Sequence, residues 1–177
     1  EIEHIKKTLQ NYNMPNRRFE ICSIKDVYVF DNYCNNAGEL DKTLEAVQML
    51  NYNNLRIILS INRSDDWRSI KDIEEVFGQW SDVLSISEVI LSGSADVSEE
   101  MTPLPITELR KLKKSLSGIA AVKYLENLKD AVQYAVSKSN AGDMLVLAGG
   151  DGMNGAKTLV ERQLIQDKSI VDMKILH

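Results

Sequence analysis

Short apolar runs take turns along this chain with longer stretches whose apolar residues recur every three or four positions. The runs at 27–30, 55–61, 88–92, 122–124 and 144–148 are built mostly of Val, Ile, Leu and aromatic residues. They are too short for helices and read as strands buried on both faces. Between them, residues 37–50 set Leu40, Leu44, Val47 and Leu50 on one helical face. A second helix starts near Trp67 and carries Ile70, Ile73, Val76, Phe77 and Trp80. Residues 106–116 form a third, and 127–139 a fourth with Leu128, Ala131, Val132 and Ala135 inward. Asp66 and Asn127 are placed to cap the second and fourth. Strands that alternate with helices in this way make βαβ units. The expected fold is therefore α/β, a mostly parallel sheet with helices on both faces, Rossmann-like. Residues 1–12 read as a short helix, 18–24 as a strand, and 157–176 as a hairpin or small terminal strands.

The composition fits one soluble domain. The chain has 177 residues, of which 44% are hydrophobic and 27% charged, with 3 Pro and 9 Gly. A chain of this length buries roughly 70% of its unfolded surface and needs no staples. The net charge is −5, and no basic stripe suited to nucleic acid appears. The densest basic stretch, Arg110-Lys111-Leu112-Lys113-Lys114, reads as the solvated face of a helix. Two cysteines, Cys22 and Cys34, and two terminal histidines, His4 and His177, supply neither a metal cluster nor the base of a nucleophilic triad. No run approaches the ~18 apolar residues of a membrane span, and no signal-peptide pattern opens the chain. The expectation is a cytoplasmic protein with no nucleic-acid or membrane partner.

In open parallel sheets, ligands sit where the strands end at their carboxyl side. The loops after Phe30, Ile61, Ser92 and Ala148 should therefore share one edge and carry any site. Two of them are polar clusters, Asp31-Asn32-Tyr33-Cys34-Asn35-Asn36 and Asn62-Arg63-Ser64-Asp65-Asp66. Each reads from composition first as a helix cap and turn, with a binding loop as the alternative. The run Gly149-Gly150-Asp151-Gly152 lacks the P-loop spacing. It reads as a tight turn needing positive φ, or as a close backbone approach to a phosphate.

The order of these motifs resembles the C-terminal domain of the Mur ligase superfamily. That family holds the ATP-dependent peptidoglycan amino-acid ligases, folylpolyglutamate synthetase and cyanophycin synthetase. The resemblance is carried by Met14-Pro15-Asn16-Arg17-Arg18-Phe19-Glu20, by residues 29–40 around Asp31-Asn32-Tyr33-Cys34-Asn35-Asn36, and by residues 141–149. Arg17 stands where the pattern has Gly, Asn32 where it has an acid, Asn35 where it has His and Ala37 where it has Pro. Ser94-Ala95-Asp96-Val97 replaces Asp-Asn-Pro-Arg, and Gly150-Asp151-Gly152 replaces Lys-Gly-His.

The resemblance implies that Arg18 and Asn32 face the ATP ribose, and that Asn35, Arg63 and Gly150 stand on the substrate or phosphate side. It implies no catalytic residue in this chain. ATP and Mg²⁺ would be held mainly by a central domain, of which residues 1–14 would be the end, the rest of 1–177 being one domain. The implied function is the substrate-binding lid of an ATP-dependent ligase that joins an acid to an amine through an acyl phosphate. Its partners would be an amino acid and a nucleotide-linked or peptide acceptor, with diaminopimelate disfavoured. A non-catalytic binding or assembly module is the alternative.

Overall fold

The computed structural model describes residues 15–63 and 70–174, with side chains as far as 165. The chain runs β1 (Glu20–Ile24), β2 (Val27–Tyr33), α1 (Ala37–Gln48), β3 (Leu55–Ser60), α2 (Ile70–Trp80), β4 (Ile86–Ser92) and α3 (Ile106–Leu116). It continues through β5 (Ala121–Leu125), α4 (Leu128–Ser137), β6 (Met144–Gly149), a 3₁₀ turn at Asp151–Met153 and α5 (Ala156–Lys174). The six strands form one sheet in the order β1-β2-β6-β3-β4-β5. β1 is antiparallel to β2, and every other pairing is parallel.

The period of two in each strand divides the core. Phe30, Ile57, Leu59, Val89 and Val146 point to the face covered by α1, α2 and α3, where Leu40, Leu44, Phe77 and Leu112 pack. Ile58, Ile90, Leu145 and Leu147 point to the other face, against Val132, Ala135, Ala156 and Val160 of α4 and α5. All six residues of β6 are buried, because strands lie on both sides of it and helices cover both its faces. This is the α/β, Rossmann-like arrangement that the alternating pattern implies.

Four local expectations change. Asp31, Asn32 and Tyr33 are not in the loop after Phe30 but continue β2, because they pair with Leu147, Ala148 and Gly149 of β6. The tail is not a hairpin: α5 is a helix, and Ala156 and Val160 lie one turn apart on its buried stripe. The first strand begins at Glu20 rather than 18, because Arg17 and Phe19 have φ of 58° and 51° and cannot join a ladder. Asn127 does stand at the start of α4, but its side chain does not cap it. The Asp96 carboxylate does so from a distant loop, accepting from Leu128 N at 2.6 Å and Lys129 N at 3.0 Å. The expected helix at 1–12 and the Asp66 cap lie outside the described residues.

The amino end of the sheet is pinned by one carboxylate. Asp143, fully buried, accepts from Asn54 Nδ2 at 2.7 Å, Asn140 N at 2.9 Å and Arg56 Nη1 at 3.0 Å. These bonds tie the start of β6 to the start of β3. Burial pushes the Asp143 carboxyl up, but the Asn140 N–H, Asn54 and Arg56 outweigh it and hold the group below its usual value. A depressed carboxyl stabilises the fold in full above its unfolded pKa, about 3.9. That stability is lost as the pH falls through the lower folded value. Asp143→Asn keeps the shape and removes this linkage. Acid titration of its unfolding free energy should show a shallower fall below about pH 4 than in the parent chain, and parallel acid limbs would contradict this account.

Candidate active-site edge

The parallel strands bring the loops after β2, β6, β3 and β4 to one edge. Asn32 lies opposite Ala148 and Tyr33 opposite Gly149, while Ser60 lies opposite Ser92. Arg18, Asn32, Asn35, Arg63 and Gly150, scattered in sequence, all stand at this carboxyl edge.

Its anchor is Arg17. The guanidinium is buried and reaches four acceptors: Asp31 Oδ1 at 3.0 Å, Gly150 O at 2.7 Å, Gly149 O at 2.8 Å and Asn154 Oδ1 at 3.1 Å. Its backbone N–H donates to Glu20 Oε1 at 2.6 Å. A planar fork of five donors suits this arrangement, and a lysine does not. Burial pushes the Asp31 carboxyl up, against the pull of Arg17. Lys157 and the Arg17 N–H draw the Glu20 carboxyl down.

Arg18 is the more exposed of the two arginines, although the Arg17 guanidinium also stands 5.5 Å from the Tyr33 ring centroid. The Arg18 side chain is 38% exposed and lies over the Tyr33 ring, 5.0 Å from the centroid. It also reaches Tyr33 O at 3.4 Å and Glu39 Oε1 at 3.5 Å. Asn32, by contrast, is 2% exposed. Its Oδ1 accepts from Phe19 N at 3.0 Å and its Nδ2 donates to Thr43 Oγ1 at 2.8 Å. Asn32 therefore ties the entry segment to α1.

Asn35 and Asn36 open α1. Asn36 Oδ1 caps Glu39 N at 3.0 Å, and the Glu39 carboxylate returns to Asn35 N at 3.0 Å. Asn35 Oδ1 accepts from Asn36 Nδ2 at 3.1 Å. The cap reading and the edge location both hold for this cluster. Arg63 is exposed, and its N–H donates to Thr102 O at 2.9 Å.

The glycine run is needed for space more than for φ. Gly150 has φ −73°, and its role is to offer its carbonyl to Arg17. A Cβ on Gly149, where φ is 150°, would stand 2.8 Å from Ser60 Cβ. One on Gly152 would collide with Ser60 Oγ and Asn62 Nδ2. Beneath the run lies a buried hydroxyl chain. Ser94 Oγ donates to Ser60 Oγ at 2.9 Å and lies 3.1 Å from Ser92 Oγ, and Asn62 Nδ2 donates to Ser60 Oγ at 3.0 Å.

Arg17, Glu39 and the three serines escape a reading of the sequence. Arg17 alone leaves a trace there: Asp31 closes a buried apolar run and so requires a cation. Removing that cation strands Asp31 and two carbonyls. Arg17→Ala should cost about 3–5 kcal/mol, a fall in melting temperature of roughly 6–20 °C at 2–4 °C per kcal/mol. Arg17→Lys should fall between the two, and a loss no larger than that of Arg18→Ala would contradict the anchor.

Comparison with known proteins agrees with this geometry. The family model for "Mur ligase, glutamate ligase domain" matches residues 17–150. The UDP-N-acetylmuramate–L-alanine ligase of Acetivibrio thermocellus is 24% identical over 171 residues, 96% of this chain and 34% of its own length. That of Sulfurihydrogenibium sp. is 27% identical over 146 residues, 82% of this chain and 31% of its own. The chain thus spans about a third of the length of these relatives. A murein peptide ligase structure from Psychrobacter arcticus superposes with TM-score 0.67 at 15% identity, covering 89% of this chain and 32% of that one. The MurF ligase of Thermotoga maritima, in complex with ADP, gives 0.60 at 12% identity over 93% of this chain and 37% of its own. The match runs from the Arg17 anchor to the Gly150 carbonyl that it holds, and the chain belongs to the Mur ligase family as its glutamate ligase domain.

Proposed function

We propose that this chain is the substrate-binding lid of an ATP-dependent ligase that joins a carboxylate to an amine. The acid is activated as an acyl phosphate, the amine displaces phosphate, and an amide, ADP and phosphate are released. Positioning and charge stabilisation carry such chemistry. The relatives' names favour a nucleotide-linked acid and a small amino acid as the two substrates.

The observation that carries this reading is Arg18, a cation half exposed at the carboxyl edge and braced on Tyr33. It suits a nucleotide sugar or phosphate. Asn32 fits such a ligand less well, since both ends of its amide are engaged within the protein. Its role is to position Arg18 by holding the next residue, Phe19. Asn35, Arg63 and Gly150 line the substrate side. The edge carboxylates Asp31 and Glu39 are both held by arginines, so ATP and Mg²⁺ would be held mainly by a central domain. The Yersinia pestis folylpolyglutamate synthase structure contains AMPPNP and a Mn ion. No described helix is long and apolar enough to cross a membrane, in keeping with work in the cytoplasm.

A second reading, a non-catalytic module that keeps the fold, is favoured by the neutral amides of Asn32 and Asn35 where the pattern has an acid and a histidine. Two measurements test the first reading. In the full-length protein, Arg18→Ala should raise the Michaelis constant for ATP about tenfold to a hundredfold, the loss of one charge-assisted hydrogen bond. The melting temperature should barely move, because an exposed ion pair contributes about 1 kcal/mol or less. A large fall in melting temperature with the constant unchanged would make Arg18 structural. The 177-residue chain alone should not turn over ATP, and ADP release above a mock preparation would overturn the lid assignment.

A further inference from the structure

β5 closes the sheet at the end away from β1 and pairs only with β4 among the described residues. Its outer backbone edge therefore meets no strand. An open cleft of about 610 Å³ straddles that edge. On the α3 side its wall is Ile106 and Leu109, with Arg110 and Lys113 on the rim. On the α4 side it is Lys123 and Tyr134. Ile106 is 57% exposed, a large apolar side chain left at the mouth.

The charge of the cleft is one-sided. Among the described residues neither Arg110 nor Lys113 is in an ion pair. Lys123 lies over the Tyr134 ring, 3.9 Å from its centroid. Glu88, the acid in the lining, is already held by Tyr134 Oη at 2.8 Å and faces Arg56 at 3.9 Å. Three cations thus surround the open edge of β5 in a chain of net charge −5. The basic stretch 110–114 is accordingly not uniform, because Arg110 and Lys113, one helical turn apart, flank the groove.

We propose that this cleft takes an extended acidic segment of a partner protein, added as a further strand along β5. Backbone pairing supplies the affinity, and alternate side chains supply the specificity. Carboxylates on one face meet Arg110 and Lys113, those on the other meet Lys123, and an apolar residue covers Ile106. A second copy of this chain is a poorer occupant, since pairing two β5 edges brings cation against cation.

The test uses the full chain and a short fluorescein-labelled peptide that repeats Glu-Glu-Val-Thr, which puts carboxylates on both faces of an extended strand. Anisotropy should show saturable binding that weakens with salt. Arg110→Glu with Lys113→Glu should weaken it at least roughly tenfold, with the melting temperature held because both residues are exposed. The same peptide N-methylated along one backbone edge should also lose at least tenfold, since it keeps its charge but cannot pair. Equal binding by the N-methylated peptide, displacement by an oligonucleotide as readily as by the peptide, or absence of binding would each overturn the proposal. So would a concentration-dependent dimer in sedimentation that Lys123→Glu strengthens.

Discussion

The sheet cannot close until its last strand arrives. β6 lies between β2 and β3, yet three strands and four helices precede it after β2. The pairings β1–β2 and β3–β4 are near in sequence, whereas β2–β6 and β3–β6 join distant segments. Long-range parallel pairing costs chain entropy before any contact offsets it. A buried charge fastens the middle strand at each end. Asp143 binds Arg56 of β3 at the amino end, and at the carboxyl end Arg17 binds Asp31 of β2 together with the Gly149 and Gly150 carbonyls. Slipping β6 by one residue would turn its alternating core inside out and would also strand these ions. Breaking a buried pair costs far more than forming it yields, so the two charges select one register rather than add much stability.

The same anchor decides which arginine stays at the surface. Arg17 and Phe19 take left-handed backbone, so the entry segment turns sharply on each side of Arg18. Arg17 is drawn inward to four acceptors while Arg18 lies across Tyr33 at the surface. Asn32 completes the arrangement by accepting from Phe19 N. Left-handed backbone costs about 1 kcal/mol or more at a non-glycine residue. That cost is offset by the charge-assisted bonds of Arg17, each worth more than a neutral one.

The sequence disclosed what depends on period. Runs such as 55–61 and 144–148 are apolar throughout but for Arg56 and Ser60, so their burial on two faces follows directly. The helix at 106–116 repeats Leu109, Leu112 and Leu116 at helical spacing and is found as read. The tail carries the same kind of signal, since Ala156, Leu159, Val160 and Leu164 pack inward at helical spacing, and a hairpin is at odds with it. The site was legible as an edge, since parallel strands put all their exits together. Its internal division was not. Arg17 and Arg18 are adjacent and chemically identical, and only the backbone angles, set by long-range packing, send one inward and the other out. The Asp96 cap on α4 is hidden for the same reason, as its helix begins over thirty positions away.

Distance keeps the two surfaces of this domain independent. From β2, which carries Asn32 and Tyr33, to β5 is four strand spacings in the order of the sheet, or about 19 Å at roughly 4.8 Å each. That exceeds a Debye length of roughly 8 Å at physiological ionic strength. An acidic strand docked on Arg110, Lys113 and Lys123 would not change the field around Arg18 at the carboxyl edge. Coupling would have to pass through the packed strands between, and these are held in register by buried charge at both ends of β6. Rigid packing of that kind transmits an all-or-none change and resists a graded one. A partner on β5 would therefore tether the domain and leave the carboxyl edge as it was.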